Sequence, residues 1–375
     1  MKRLLCIMSG MNVGGAETFI MKIYRIIDKE KFQFDFCVNM PIEENYYSKE
    51  IQNYGGKIYV LPPKKEGPLR QFLAIKKVVK DNRYDYVLKV KQHSLACLDL
   101  LAAKLGGAHN LILRSSNAAT SSMIYEFLHK LFAFLPKKIP TVKIAPSIEA
   151  AEYTFGKKQV SENMVHILNN GVDTPKFTYD KVSAEAFRAE YGIDQEKLVI
   201  GHIGRFSPQK NHDFLIDVFS EIVKKNNNAI LVLVGVGELQ NNIKRKVETM
   251  GLNDKVLFTG LRDDIPRMLS ACDIIVFPSL YEGMPNTIIE AETNGLPCLV
   301  SDTVTRQAAI TDLVRYKSLS DSASSWANAT IQLYCEMKDR NRSSYGEIVK
   351  SQGYDISQTA DEFIELVFGE EENEE

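Results

Sequence analysis

The chain has 375 residues, of which 45% are apolar and 25% charged, and its formal net charge is −2. That length exceeds one ordinary core and predicts two domains, while the composition excludes a disordered chain. No apolar run reaches the roughly eighteen residues that a bilayer-spanning helix requires.

The start, MKRLLCIMSG, has a basic pair but too short an apolar stretch for a signal peptide, and it leads into a strand and a Gly-rich loop. In the first half, β-rich runs at 3–9, 32–39, 57–62, 84–90, 110–116, 141–147 and 164–170 alternate with helical patterns such as 16–30, 68–82 and 94–107. This rhythm predicts βαβ units, hence a parallel sheet covered on both faces. It breaks at Asn169-Asn170-Gly171-Val172-Asp173, where a polar joining stretch begins. A second set follows at 197–204, 229–235, 255–260, 273–279 and 297–302, each a near-continuous Val/Ile/Leu run suited to a doubly covered sheet. Two doubly wound α/β domains are expected, 1–175 and 176–355. The remaining 356–375 reads as an amphipathic helix, able to pack on either domain, and an acidic tail.

Charge and cysteines narrow the setting. Residues 1–175 carry 25 Lys+Arg against 16 Asp+Glu, and the rest carry 21 against 32, so a half of +9 precedes a half of −11. Either the acidic tail skews the count, or the basic half meets anionic lipid or phosphate. Six scattered cysteines lack C-x-x-C spacing and read as core thiols of a reducing cytoplasm, with no metal site.

Ligands of such sheets bind beyond the strands' carboxyl ends, so residues after each strand matter most. In 279–295, SLYEGMPNTIIEAETNG, a strand ends and Pro285 suits a first helical position, where a missing N–H costs no helical bond. The N–H groups of Asn286 and Thr287 attract phosphate, and Glu282 and Glu290 can hold sugar hydroxyls. A phosphate-linked sugar fits that set. Arg205 and Lys210 stand five residues apart on a turn and can flank a diphosphate, although a solvated turn is the plainer reading. Gly235-Val236-Gly237 is half of a dinucleotide fingerprint, without its third glycine and acid. Leu261 and Arg262 end the next strand and line the same nucleotide pocket. In the first half, Gly14 and Gly15 form a plain turn or a loop that a ligand approaches closely. His93 and Arg114 sit at strand ends, the latter as an acceptor-side candidate.

Together these residues resemble the retaining glycosyltransferases of family 4 over nearly the whole chain. The resemblance rests on Gly14-Gly15-Ala16-Glu17, Asn170-Gly171-Val172-Asp173, Gly204-Arg205-Phe206 with Lys210, Glu282-x7-Glu290 and Gly295-x-Pro297. It extends to the bacterial enzymes of exopolysaccharide or capsule assembly, and it implies the GT-B fold, two Rossmann-like domains with an inter-domain cleft. It implies that Arg205 and Lys210 bind the donor diphosphate, Glu290 the ribose and Glu282 the transferred sugar. His93 would lie near the reacting sugar and phosphate, and Gly14 and Gly15 near the donor. Gly235, Leu261, Arg262, Met284, Asn286 and Thr287 complete the donor side.

One departure concerns Gly283-Met284-Pro285, where many members carry Gly-Phe-Gly. Proline has no N–H to give, so a contact at that nitrogen is absent. No D-x-D pair occurs, and Arg205, Lys210 and a helix start supply positive charge, so no metal or cofactor is expected. Retention by attack on the face from which diphosphate leaves needs no protein nucleophile, so His93 and Glu282 act by positioning and charge. The implied reaction moves a hexose or N-acetylhexosamine from a nucleotide sugar, with UDP preferred, to a lipid-linked oligosaccharide in the cytoplasm.

Residues 124–143 mix Phe, Leu and Tyr with Lys130, Lys137, Lys138 and Lys143. They read as a surface helix in a peripheral, anionic membrane contact, or as a core-facing helix with a basic end. Two other functions stay open, a sugar-nucleotide epimerase on a similar fold and a non-catalytic family member. A hydrolase carboxylate pair is disfavoured once Glu290 holds ribose. Nucleic acid is not expected, because basic residues are not interleaved with aromatics on a stacking face.

Overall fold

The computed structural model describes residues 1–12, 14–116 and 123–369. Val13 of the first Gly-rich loop and residues 370–375 of the acidic tail lie outside the described residues. The strands of the first sheet are β1 (Lys2–Ile7), β2 (Phe32–Val38), β3 (Ile58–Val60), β4 (Tyr86–Val90), β5 (Asn110–Arg114), β6 (Val142–Ala145) and β7 (His166–Ile167). Those of the second are β8 (Leu198–Ile203), β9 (Ala229–Val234), β10 (Val256–Gly260), β11 (Ile274–Phe277), β12 (Cys298–Ser301) and β13 (Val314–Lys317). The orders are β3-β2-β1-β4-β5-β6-β7 and β10-β9-β8-β11-β12-β13, with parallel pairing throughout. β13 escaped the sequence reading because Val-Arg-Tyr-Lys is a half-exposed edge strand with no apolar run.

Both faces of each sheet are covered, which explains why the strands are apolar at both parities. Along β1, Leu4 and Cys6 enter one core while Leu5 and Ile7 enter another. Along β8, Leu198 and Ile200 face one core and Val199 the other. Five cysteines are buried free thiols, as core packing predicts, but Cys335 is exposed.

The chain divides into two compact units, Met1–Gly171 with the segment from Ile356 onward, and Val172–Asp355. The stretch expected as a linker is folded into the second unit. Asp180 caps the helix Lys181–Glu190 by accepting from Val182 and Ser183 N–H, and the helix buries Phe187 completely. Arg188 on its inner face donates to the Ala271 carbonyl at 3.1 Å and to Asp273 at 3.0 Å.

The terminal helix Ile356–Phe368 packs on the first unit. Phe363 meets Phe19 edge-on at 6.1 Å, and Phe368 lies 4.9 Å from Phe32 and 4.8 Å from Tyr86. Phe363→Ala should therefore cost about 3 kcal/mol by leaving a cavity in that core, read as a lower urea midpoint. An unchanged midpoint would show that the helix contributes nothing to the unit.

In each sheet the strand order reverses once, between β1 and β4 and between β8 and β11. Parallel sheets receive ligands at such points. The loops that follow these four strands carry most of the residues singled out by sequence.

Candidate functional site

In the second unit, the loop after β8 and the loop after β11 are stitched together. Leu280 N–H donates to the Gln209 carbonyl at 2.8 Å, Gln209 Nε2 to the Tyr281 carbonyl at 2.9 Å, and Asn211 Nδ2 to the Pro278 carbonyl at 3.2 Å. Between them, Lys210 Nζ lies 2.7 Å from Glu282 Oε1, with side chains only 17% and 10% exposed. The same Nζ stands 4.6 Å from the Phe277 ring centroid. The lysine stem crosses Gly204, where a Cβ would meet Lys210 Cγ at 3.0 Å. The two residues assigned by sequence to diphosphate and sugar are thus ion-paired with each other.

Glu282 itself is fixed by a parallel bridge to Val304, and the Ser279 carbonyl accepts from Ser301 Oγ at 2.5 Å and Thr303 Oγ1 at 2.9 Å. The helix Asn286–Thr293 then begins, with Pro285 as the residue before its first turn rather than within it. Among the described residues, Ser279 Oγ and Asn286 Oδ1 are buried without a hydrogen-bond partner at this helix start. Buried polar atoms left unpaired are costly, and a polar ligand at this helix start would relieve them. Thr287 and Glu290 are half-buried on the same helix. Met284 packs its side chain into the core, so a ligand would meet its backbone.

Glycine is required behind the lysine. Gly235 adopts φ +133°, and a Cβ there would lie 2.2 Å from the Gly204 carbonyl oxygen, so the loops after β8 and β9 touch through backbone. Arg205 is 74% exposed, its Nη2 3.3 Å from Glu238 Oε2, a pairing weak enough to be exchanged for a ligand. Arg262 is engaged by its own neighbours. Its guanidinium is held by Asp264 at 2.6 Å and 2.7 Å and by the Tyr191 hydroxyl, with Glu190 at 3.8 Å, which raises its pKa further. It stabilises the β10 end, and at that end Leu261 is the exposed residue, at 51%.

Beneath this loop lies a histidine pair that the sequence reading missed. His212 stacks on Phe206 at 4.1 Å and meets His202 edge-on at 4.7 Å, while His202 Nδ1 lies 2.9 Å from the Val276 carbonyl. Burial lowers the pKa of both, His212 to about 4, and nearby Lys210 adds to the effect. The unfolded chain takes up a proton that folded His212 refuses, so stability should fall as pH drops from 6.5 towards 4. The slope is about 1.4 kcal/mol per pH unit. Urea unfolding of His212→Phe should show a flatter acid limb; an identical limb would remove this residue as the cause.

In the first unit, Gly14 precedes the helix Gly15–Ile26 and the Glu17 carboxylate packs over it, while Gly15 is open. His93 follows β4. Its Nδ1 accepts from Leu95 N–H at 3.2 Å and its Nε2 donates to the Tyr125 carbonyl at 2.8 Å, a single neutral tautomer. Burial holds its pKa below the ordinary histidine value. Arg114 requires a correction. It is 2% exposed, stacks on Phe19 at 3.5 Å and donates to Asn170 Oδ1 at 2.6 Å, with its pKa lowered to about 9 by burial. It braces the core beside the Asn169–Asp173 motif and offers no acceptor surface.

Two parallel-sheet α/β units with these strand orders form the fold of GT-B glycosyltransferases. The structure matches that of Anabaena Alr3699/HepE in complex with UDP and glucose, with TM-score 0.79 and 18% identity, covering 97% of this chain and 99% of the other. It also matches WaaG, a glycosyltransferase involved in lipopolysaccharide biosynthesis, with TM-score 0.75 and 14% identity, covering 98% and 100%. At those identities the likeness is one of fold.

In sequence, residues 183–346 match the family described as "Glycosyl transferases group 1". The "Putative glycosyltransferase EpsF" of Bacillus subtilis (strain 168) is 32% identical over 365 residues, 95% of this chain and 94% of the relative. The chain belongs to the glycosyl transferase group 1 family. A further relative, the UDP-Gal:alpha-D-GlcNAc-diphosphoundecaprenol alpha-1,3-galactosyltransferase of Escherichia coli, is 30% identical over 244 residues, 62% of each chain.

Proposed function

We propose that this glycosyltransferase is a retaining, metal-independent member of family 4 that moves a hexose or N-acetylhexosamine from a UDP-sugar to a lipid-linked oligosaccharide. Its setting would be exopolysaccharide or capsule assembly in the cytoplasm, at the membrane face. The observation that carries the reading is the Lys210–Glu282 pair at the β8/β11 switch point. Lys210 and Arg205 take the donor diphosphate and stabilise charge on the leaving phosphate, aided by the Asn286 and Thr287 N–H groups. Glu282, freed from the lysine by the incoming phosphate, turns to the transferred sugar, and Glu290 holds the ribose. In the first unit, His93 and the Gly14–Gly15 loop are assigned to the reacting sugar and donor. The names of two similar proteins support the substrate classes, UDP and glucose in one and a GlcNAc-diphosphoundecaprenol acceptor in the other.

A thermal-shift panel of nucleotide sugars tests the donor, since a ligand that binds only the folded state raises the midpoint. UDP-sugars are expected to give the largest shifts, followed by transfer of labelled sugar to a polyprenyl-diphosphate glycan with α product from an α donor. EDTA should leave the rate unchanged. No nucleotide preference would sink the reading, and an inverted product or loss of activity in EDTA would overturn the retaining, metal-free mechanism.

A further inference from the structure

The helix Met123–Leu131 is turned inside out. Its polar groups face the first unit: His129 is 4% exposed, accepts at Nδ1 from Ser94 N–H at 3.1 Å, and lies with Nε2 2.9 Å from the Tyr153 carbonyl. Glu126 accepts from the Tyr153 hydroxyl at 2.7 Å. Its apolar side chains face outward instead, with Ile124 73%, Phe127 66% and Leu131 56% exposed. Spacings of three and four residues put these on one stripe. Phe134, 51% exposed, follows in the next turn.

A contiguous outward apolar stripe marks a contact surface in a way that scattered exposed residues do not. Exposed Lys130, Lys137 and Lys138 flank it, and Glu126 is the one acid within 124–143. Lys143, counted with them by sequence, is buried at 7% and donates to Gln159 at 2.8 Å. The core-facing reading holds further on, where Leu135 and Ile139 pack against a core, but in the helix Met123–Leu131 the inward groups His129 and Glu126 are polar.

We propose that this face docks on an anionic phospholipid bilayer, with Ile124, Phe127, Leu131 and Phe134 at the acyl boundary and the three lysines on the headgroups. Self-pairing of the face would bring the lysines of two copies together, whereas an anionic surface satisfies both the stripe and its rim. No described helix is long and apolar enough to cross a membrane, so the contact is interfacial. The surface deepens the transferase reading, and rests on it only for the consequence that a lipid-linked acceptor arrives from the same bilayer. His93 donates to the Tyr125 carbonyl of this very helix, which ties the docking element to a candidate site residue.

Flotation of the full chain with phosphatidylglycerol-containing vesicles, against pure phosphatidylcholine, tests the proposal. Binding is expected only to the former, weakened by salt, reduced about tenfold or more by Phe127→Glu and about fivefold by each of Lys137→Ala and Lys138→Ala. The nucleotide-sugar thermal shift of each variant serves as the folding control, and its loss in the parent protein alone would strike the donor reading without touching flotation. No binding to anionic vesicles would overturn the surface. So would Phe127→Glu binding as tightly as the parent, or a solution dimer that Phe127→Glu dissociates.

Discussion

Lys210→Ala is expected to lower kcat/KM by about a thousandfold, the loss typical of removing one preorganised charge from a developing anion. The cation is nearly enclosed, with its Nζ 2.7 Å from Glu282 and over the Phe277 ring, and water cannot replace it well. The same substitution strands a 10%-exposed carboxylate without its counter-ion, which also lowers stability. The two effects separate in the double variant. Lys210→Ala with Glu282→Ala removes both charges, so its thermal midpoint should return towards that of the parent while activity stays lost. Because the pair acts as a unit, the double variant should be scarcely slower than either single one. Recovery of activity along with stability would show that the pair only holds the loops together.

Strand runs were readable because a sheet covered on both faces leaves no period-two pattern to confuse, and because most runs end in a turn residue, Gly, Pro, Ser or Asn. β13 was not, since an edge strand needs no apolar run. The site was readable where chemistry lies close in sequence, as with Arg205 and Lys210 or Glu282 and Glu290. It was misread where a distant partner decides the role. Arg114 looks like a strand-end cation until Phe19 and Asn170 close around it. His202 and His212 carry no signal in sequence, because only the turn at 204–211 brings the rings together. The helix Met123–Leu131 was visible as amphipathic, yet which face turns inward depends on Ser94 and Tyr153, which lie 35 and 24 residues from His129 along the chain.

Glu292, two residues beyond Glu290, is the extreme case of a role hidden from sequence. Positions two apart face different ways on a helix, and Glu292 turns into the core at 0% exposure. Its Oε1 accepts from Thr311 N–H at 2.7 Å and Thr311 Oγ1 at 2.8 Å, while Oε2 has no hydrogen-bond partner. Burial, with a smaller push from Asp312, raises its pKa from 4.5 to about 8, so the folded protein holds it neutral at pH 7. A carboxyl raised in this way is harmless below pH 4.5, where both states are protonated. As pH climbs to about 8 the unfolded chain releases its proton and the folded one keeps it, so stability drains away across that window and levels off above it. Glu292→Gln keeps an oxygen for Thr311 and has no proton to lose. The variant should match the parent in acid and exceed it by on the order of 4 kcal/mol in alkali, read from urea unfolding across the pH range. Parallel stability curves for the two proteins would mean that Glu292 is ionised in the fold, with an unseen cation beside Oε2.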